Sequence, residues 1–154
     1  MHYYTRYRSP VGPLVLISDG ETLTGLTFTE PDSRWEYLDN LSIFDSVRLW
    51  LDAYFAGNPG VLDFPLSPAG TGFQHRVWEI LSTIPYGETV TYGTIAKLLE
   101  DKMSPQAVGQ AVGKNPIAII IPCHRVVGTK GKITGYAWGI EKKKWLLRHE
   151  EETK

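Results

Sequence analysis

The residues most able to do chemistry lie together in the segment Pro122-Cys123-His124-Arg125. Cys123 is the one cysteine among 154 residues, and the ionised thiolate is the form of cysteine that attacks electrophiles. A neighbouring cation or base favours that thiolate, so this segment predicts a nucleophile at Cys123. A free cysteine is also often a small buried apolar residue, and the segment by itself leaves both interpretations open.

His124 is the nearest candidate base, but its position next to Cys123 is not by itself a contact. Adjacent side chains of an extended segment point to opposite sides, so a bridging water or a turn at Pro122 would have to connect the two groups. Glu150 is a candidate to orient the imidazole, or else a solvated carboxylate near a helix end. The remaining histidines have no ligand-like spacing and are interpreted as surface or core residues: His2, His75 and His149.

Helices and one short apolar run must position these groups. Thr71, Thr91 and Ser104 are each typical helix caps, and they predict helices from Thr71 to about Leu81, from Thr91 to Leu99 and from Ser104-Pro105 to about Val112. Two short helices around a tight turn favour a helix-turn-helix or winged helix. The run Ile117 to Ile121 is short and β-branched, which predicts a buried extended segment leading to Cys123.

The first half of the chain reads as strands followed by a helix. His2 to Arg8 alternates like a strand, and Leu14 to Ser18 with Thr22 to Thr29 flanks the hairpin signal Asp19-Gly20. Apolar spacing of three and four predicts a helix from Leu41 to Phe55. The remaining segments are, in order, a linker over Gly60 to Gly72, a basic turn at Lys130-Gly131-Lys132, a loop over Tyr136 to Gly139 and a last helix from about Ile140.

Composition excludes several classes of protein. Apolar residues make up 42% and charged residues 21%, which is ordinary for a globular chain and excludes disorder. No apolar run approaches the ~20 residues of a membrane span, and no signal peptide is expected at the N-terminus. Residues 1–69 carry four basic and nine acidic side chains, whereas residues 70–154 carry twelve basic and eight acidic ones. The second half is therefore the one suited to face a polyanion.

Motifs in the second half resemble those of the O6-alkylguanine-DNA alkyltransferases, the methylated-DNA–protein-cysteine methyltransferases. Pro122-Cys123-His124-Arg125-Val126 resembles their active-site signature. The other matching motifs follow in register over about residues 70–151: Phe73-Gln74, Val77-Trp78, Ile84-Pro85-Tyr86-Gly87, Thr91-Tyr92, Ala107-Val108-Gly109, Asn115-Pro116, Ile119-Ile120-Ile121, Gly135-Tyr136, Trp145-Leu146-Leu147 and His149-Glu150. The first half matches only in size and in its order of strands and helix.

The resemblance implies an α+β fold in two parts. Residues 1–66 would form a small α/β domain of ribonuclease H-like type with antiparallel strands. Residues 67–154 would form a helical winged-helix or helix-turn-helix domain that binds DNA and accepts the alkyl group. The implied activity is that of a methylated-DNA–[protein]-cysteine S-methyltransferase, which flips O6-alkylguanine out of duplex DNA and moves the alkyl group to Cys123. Because a thioether has no easy hydrolytic route, each molecule would react once.

The resemblance also implies roles for single residues. Glu150 would orient His124, which takes the thiol proton through a water, and Tyr92 would protonate the departing guanine. Asn115 would hold the turn between the recognition helix and the active-site segment. The pocket walls would come from Tyr92, Val126, Tyr136, Ala137 and Trp138, and the DNA contacts from Gln106, Ala107, Gly109, Lys114 and Arg125, with Lys130 and Lys132 as further phosphate contacts. The implied protein is a monomer without metal or other cofactor. It would bind double-stranded DNA in the cytoplasm, on the nucleoid in a prokaryote.

Two positions depart from the family pattern. Gln106 stands where the family usually has an arginine that fills the space of the flipped base, and glutamine lacks the charge of that arginine. Trp138 stands where glycine is common. Its indole is expected to narrow the pocket and to reduce acceptance of large groups such as benzyl.

Three other functions remain open at this stage. A damage sensor on the same fold would bind alkylated DNA without reacting, although such proteins lack the acceptor cysteine that this chain has. A cysteine hydrolase would need direct contact between Cys123 and His124, and the sequence offers no evident glycine loop for an oxyanion. A transcriptional regulator would use the helix pair for sequence-specific binding, but no regulatory domain is fused to it.

Overall fold

The computed structural model describes residues 1–99 and 103–154, and its first half is built on a four-stranded sheet. The strands are β1 (Tyr3–Ser9), β2 (Gly12–Ser18), β3 (Leu23–Thr27) and β4 (Glu36–Tyr37), in the order β3-β2-β1-β4. The pairs β1–β2 and β2–β3 are antiparallel, and β4 runs parallel to β1. At the turn between β2 and β3 the Asp19 carboxylate accepts hydrogen bonds from the backbone of Glu21 and Thr22. Gly20 has a φ of 109°, which favours glycine, so the predicted hairpin is confirmed.

The described residues form five α-helices: α1 (Ser42–Phe55), α2 (Gly72–Leu81), α3 (Tyr92–Leu98), α4 (Pro105–Gly113) and α5 (Ile140–Thr153). In α1 the predicted apolar positions Phe44, Val47 and Leu51 are fully buried. The side chain of Tyr54 in the same helix is buried as well. Burial of this one face fixes α1 in the core that it shares with β2 and β3.

The three predicted caps of the second half are confirmed. The Thr71 hydroxyl accepts from the backbone N–H of Gln74, whose side chain reaches back to the backbone of Thr71 in a capping box. The Thr91 hydroxyl accepts from Thr94 N at 3.0 Å at the start of α3. The Ser104 hydroxyl accepts from Ala107 N at 3.2 Å, with Pro105 at the first helical position of α4. These bonds satisfy backbone N–H groups that have no partner inside the helix.

Helices α3 and α4 pack against each other as the predicted helix pair. Strand β5 (Val90–Thr91), which leads into α3, pairs in parallel with β6 (Val126–Val127), which follows the active-site segment. This short sheet ties the helix pair to the residues after Cys123. The architecture is α+β, with the sheet and α1 in the first half and a helical unit in the second.

The segment from 117 to 121 is buried except for Ile120, which is half-buried, and the segment is not extended. It folds as tight turns in which Ile120 N donates to Ala118 O at 2.7 Å and Ile121 N to Ile117 O at 3.2 Å. Ile119 has a φ of 71°, a strained value for a β-branched residue. The prediction of an extended segment is therefore wrong, because the short apolar run carries no information about these local hydrogen bonds.

The edge of the N-terminal sheet supports these turns. In β3, Leu26 N donates to Pro116 O at 2.9 Å, and Leu26 O accepts from Ala118 N at 2.8 Å. The first half thus holds the segment that leads to Cys123. Within the two described ranges, no helix is both long enough and apolar enough to cross a membrane.

Candidate active site

Cys123 lies at the wall of a cavity of 380 Å³, a size within the range of small-molecule sites. Its side chain is buried, and it begins a single 3₁₀ turn, Cys123–Arg125. The other residues that line the cavity come from α3, α4 and the loop before α5: Tyr92, Gly109, Val112, Gly113, Thr134, Gly135, Tyr136 and Ala137. A thiol on the wall of such a cavity can meet a planar ligand that enters beside α4.

Two residues expected at the pocket walls lie elsewhere. Val126 is fully buried and is not among the residues that line the cavity, and its carbonyl accepts from Lys143 Nζ at 2.6 Å. Trp138 packs its indole against the rings of Phe28 and Tyr136, with centroids 5.9 and 5.3 Å away. The expectation that Trp138 narrows the pocket is therefore wrong for this structure, because the indole is turned toward the N-terminal sheet.

Asn115 organises the approach to Cys123. Its amide nitrogen donates to Ile117 O at 3.1 Å and to Ile121 O at 2.8 Å, and its Oδ1 accepts from Ile117 N at 3.0 Å. These three bonds replace the strand pairing that the turn segment lacks. Asn115 is 2% exposed, so losing them would leave buried backbone groups unpaired.

His124 and Glu150 form a buried pair. His124 Nε2 lies 2.5 Å from Glu150 Oε2, and both side chains are almost inaccessible to solvent. Because an ionised carboxylate only accepts hydrogen bonds, Nε2 carries the proton, and Nδ1 of the neutral ring is left as an acceptor. Nδ1 is buried and has no hydrogen-bond partner among the described residues.

Arg125 is part of this network and does not point to solvent. Its Nε donates to Glu150 Oε1 at 2.8 Å, and its Nη1 donates to Ile84 O at 2.7 Å. With 8% of its surface exposed, it cannot serve as the phosphate contact that was expected. The prediction is wrong because the Arg125 guanidinium forms an ion pair with the buried Glu150 carboxylate, which would otherwise be left without a counter-charge.

These contacts set the ionisation of the pair. Burial opposes the charged form of Glu150, but hydrogen bonds from His124 and Arg125 outweigh it and hold the pKa of Glu150 well below its usual range. Burial lowers the pKa of His124, against the opposing pull of the Glu150 carboxylate. The neutral imidazole is therefore the favoured form of His124 near neutral pH.

Burial also raises the pKa of the Cys123 thiol. Asn115 and the positive charge of Lys143 act in the opposite direction. At neutral pH the sulfur is thus held as a thiol, and a base must remove its proton before it can act as a strong nucleophile.

Lys143 is a site residue that the sequence interpretation missed. It is 1% exposed, and its Nζ donates to Val126 O at 2.6 Å and to Gly135 O at 3.3 Å. The ammonium thereby ties β6 to the loop that forms the far wall of the cavity. Lys143, Leu146 and Glu150 are spaced by three and four along α5, so the helical period was the signal that would have shown a shared buried face.

Tyr92 faces the cavity from the first turn of α3. Its hydroxyl is 3.1 Å from Thr134 Oγ1, and either oxygen can be the donor. A Cβ built on Gly109 would lie 3.8 Å from the Tyr92 ring, so α4 passes close to this tyrosine. Thr134 was also missed, since nothing in its sequence context distinguishes it from a loop residue.

The predicted DNA-contact residues of α4 are spread along the helix and are all at least partly accessible. Gln106 in the first turn and Lys114 just past the last are exposed, while Ala107 and Gly109 are half-buried. Lys130 and Lys132 are exposed on the 3₁₀ turn Thr129–Gly131 and just after it, which confirms the predicted basic turn. In the two described ranges, no group of three or more His, Cys, Asp or Glu side chains is placed to hold a metal ion.

Fold and site together define a class of protein in which a pair of short helices lies beside a cavity, with a buried cysteine on the cavity wall and a buried histidine–glutamate pair close by in the structure. Two family descriptions match the chain. The 6-O-methylguanine DNA methyltransferase, ribonuclease-like domain matches residues 2–68, and the 6-O-methylguanine DNA methyltransferase, DNA binding domain matches residues 72–152. The chain belongs to the 6-O-methylguanine DNA methyltransferase family.

Similar proteins align with nearly the whole chain. A methylated-DNA–protein-cysteine methyltransferase of Haemophilus influenzae is 44% identical over 154 residues, covering 97% of this chain and 86% of that protein. One from Methanosarcina acetivorans is 45% identical over 152 residues, covering 96% and 97%. The crystal structure of Mycobacterium tuberculosis OGT in complex with DNA superposes with a TM-score of 0.90 at 45% identity, covering 98% of this chain and 94% of that one.

Proposed function

We propose that this chain repairs DNA by moving the alkyl group of O6-alkylguanine to Cys123 Sγ, once per molecule. The observation that carries the proposal is the thiol on the cavity wall, with the His124–Glu150 pair behind it and Tyr92 facing it. The target atom is inside the base stack of a duplex, so the guanine must be flipped into this cavity before the sulfur can approach in line.

The chemistry balances without any cofactor. The thiol proton passes to His124 Nδ1, the ring nitrogen left free by the bond to Glu150, and a bridging water is the natural link to Sγ. Sulfur then forms the S–C bond while the C–O6 bond breaks and its electron pair stays on the guanine. Tyr92 donates a proton to the departing guanine, so the guanine leaves neutral, and the proton held by His124 returns through solvent to the Tyr92 oxygen. The product is a thioether, so the protein does not turn over.

One copy of the chain suffices for this reaction. The relay residues His124 and Glu150 hydrogen-bond within one chain, and His124 follows Cys123 directly in the sequence; this supports the proposal that the protein acts on double-stranded DNA as a monomer. We further propose that residues 1–66 and 67–154 are its two domains, and that it works in the cytoplasm.

The deciding experiment follows a labelled methyl group. A duplex that contains O6-methylguanine with a labelled methyl group is incubated with the protein, and the label is located by peptide mass spectrometry. One methyl per chain on Cys123, lost in Cys123→Ala, is the expected result. Tight binding of the lesion without transfer would instead identify a damage sensor. Labelling of any other residue would contradict the role of Cys123.

The exposed end of α4 is proposed to enter the minor groove, with Gln106 in the space of the flipped base. Small residues such as Ala107 and Gly109 permit the close backbone approach that this groove requires. Because glutamine is uncharged, its contact is weaker than that of the arginine usual in the family.

Gln106→Arg is expected to tighten binding to an O6-methylguanine duplex about fivefold, the equivalent of one net hydrogen bond of about 1 kcal/mol. The matched control is Gln110→Arg, the same change one helical turn further along and also exposed. Binding is measured by titration against lesion-containing and undamaged duplexes at several salt concentrations. Equal gains for the two variants would mean that only general charge is being measured and would count against intrusion by Gln106.

A further inference from the structure

Tyr54 connects the N-terminal half of the protein to the buried carboxylate of the site. Its hydroxyl donates to Glu150 Oε2 at 2.6 Å, although the two residues are 96 positions apart. Tyr54 is fully buried at the end of α1. Its position is fixed from both sides, because its backbone carbonyl is 2.8 Å from His149 Nε2 in α5.

Glu150 Oε2 is the oxygen that also holds His124. Three donors converge on it: His124 Nε2 at 2.5 Å, Tyr54 Oη at 2.6 Å and Arg125 Nη2 at 3.1 Å. The other oxygen, Oε1, accepts from Arg125 Nε at 2.8 Å and from Gly87 N at 3.2 Å. A carboxylate has about four lone-pair sites, so each donor on Oε2 competes with the others for the same electron density.

We propose that Tyr54 is a positioning residue for alkyl transfer: its hydroxyl shares Glu150 Oε2 with His124 and thereby sets how basic the imidazole is. The inference rests on the proposed relay from Cys123 to His124 and adds a role for the N-terminal half. The hydroxyl draws negative charge away from the His124 contact. This keeps the imidazole neutral and ready to accept the thiol proton.

Tyr54 is the residue of α1 that donates a hydrogen bond to the buried Glu150 carboxylate. Among the described residues, titratable and charged groups surround the pair and Tyr54 from every element packed against them: Tyr54 from α1, Tyr86 after α2, Cys123 and Arg125 from the 3₁₀ turn, Tyr136 from the loop, and Lys143 and His149 from α5. Burial and the neighbouring Glu150 carboxylate raise the pKa of Tyr54 far above its usual range, so its hydroxyl stays protonated near neutral pH and remains a donor to Glu150.

The sign of the effect follows from the shared oxygen. When the Tyr54 hydroxyl is absent, Oε2 binds the imidazolium form of His124 more strongly, and the pKa of His124 rises. The rate of transfer requires the neutral ring, so the acid limb of the rate profile moves to higher pH. If the Tyr54 hydroxyl had only a structural role, its removal would change the stability of the fold but not the midpoint of the acid limb.

The test is Tyr54→Phe, which removes the hydroxyl and keeps the ring. The rate of methyl transfer in a single turnover is measured from pH 5 to 9 with saturating O6-methylguanine duplex and the full chain. The acid midpoint is expected to rise by about half a unit, giving about a threefold loss of rate on the acid limb. Tyr7→Phe is the matched control, since Tyr7 also donates to a carboxylate at 2.6 Å, that of Asp52 in α1, but away from the site.

Two failures are distinguishable. If the wild-type rate shows no acid limb, or if His124→Ala transfers methyl at the normal rate, the relay itself is wrong and this inference falls with it. If the relay is intact but Tyr54→Phe has the same midpoint as Tyr7→Phe, Tyr54 has no positioning role. Chemical denaturation of both variants confirms that the rates compare folded proteins.

Discussion

Replacing Glu150 with glutamine is expected to slow methyl transfer about a hundredfold, because it removes the acceptor that keeps His124 in the reactive tautomer. The glutamine amide can present its NH₂ to Nε2 and turn the ring's free lone pair away from Cys123. The same change leaves the buried Arg125 without a counter-charge. Removing one partner of a buried ion pair costs about 3 kcal/mol of unfolding free energy.

The unfolding free energy of the Glu150→Gln variant is also expected to depend less on pH in the acid range. In the wild-type chain the folded pKa of Glu150 is depressed, while the unfolded carboxyl titrates near ~4.3. The stability contributed by this group is therefore complete above about pH 4.3 and is lost as the pH falls toward the folded value. A glutamine cannot titrate, so the variant is less stable at pH 7 and its stability declines less steeply in acid.

Urea denaturation from pH 3 to 7 and single-turnover kinetics at pH 7.5 measure the two effects. Glu151→Gln is the matched control, because Glu151 is exposed and pairs at the surface with Lys154 at 2.9 Å. Such a surface pair is worth less than about 1 kcal/mol. A Glu150→Gln variant that matched the control in both measurements would refute the role of the buried pair.

Local signals account for the parts of the fold that the sequence predicts well. The caps Thr71, Thr91 and Ser104 bond to backbone groups three residues away, so the information lies within each segment. The spacing of Phe44, Val47 and Leu51 likewise shows one face of α1. The role of Cys123 was predicted from many motifs that occur in the order and spacing typical of the family. No single one of these residues would have been enough to predict it.

Long-range contacts explain what the sequence did not predict. The turns at 117–121 depend on the Asn115 side chain and on the edge of β3, and neither is visible in an apolar run. Arg125 was expected at the DNA because its partner, Glu150, is 25 residues away. Tyr54 was not predicted to belong to the site, because the Glu150 carboxylate that accepts its hydrogen bond lies 96 residues further along the chain.

Lys143 was hidden for a different reason, which leads to the second large expected effect. It stands between Lys142 and Lys144 in what reads as a solvated charge run, yet it alone of the three is buried. Lys143→Met is expected to slow transfer more than tenfold at pH 7. The variant loses the cation whose charge lowers the pKa of the Cys123 thiol, so less thiolate forms at a given pH.

The methionine would also leave Val126 O without its donor. A buried backbone carbonyl that loses a charged donor costs about 1–3 kcal/mol, and the loop that carries Gly135 would be held less firmly against β6. Lys144→Met is the control, since Lys144 is exposed and pairs only loosely with Glu141 at 3.8 Å.

Alkylation of Cys123 by iodoacetamide as a function of pH separates charge from packing. If the ammonium stabilises the thiolate, the midpoint for alkylation in Lys143→Met moves to higher pH, while Lys144→Met keeps the wild-type midpoint. A lower melting temperature with an unmoved midpoint would assign Lys143 a packing role alone. The direction is fixed by electrostatics, because removing a positive charge beside an ionising thiol can only make its proton harder to remove.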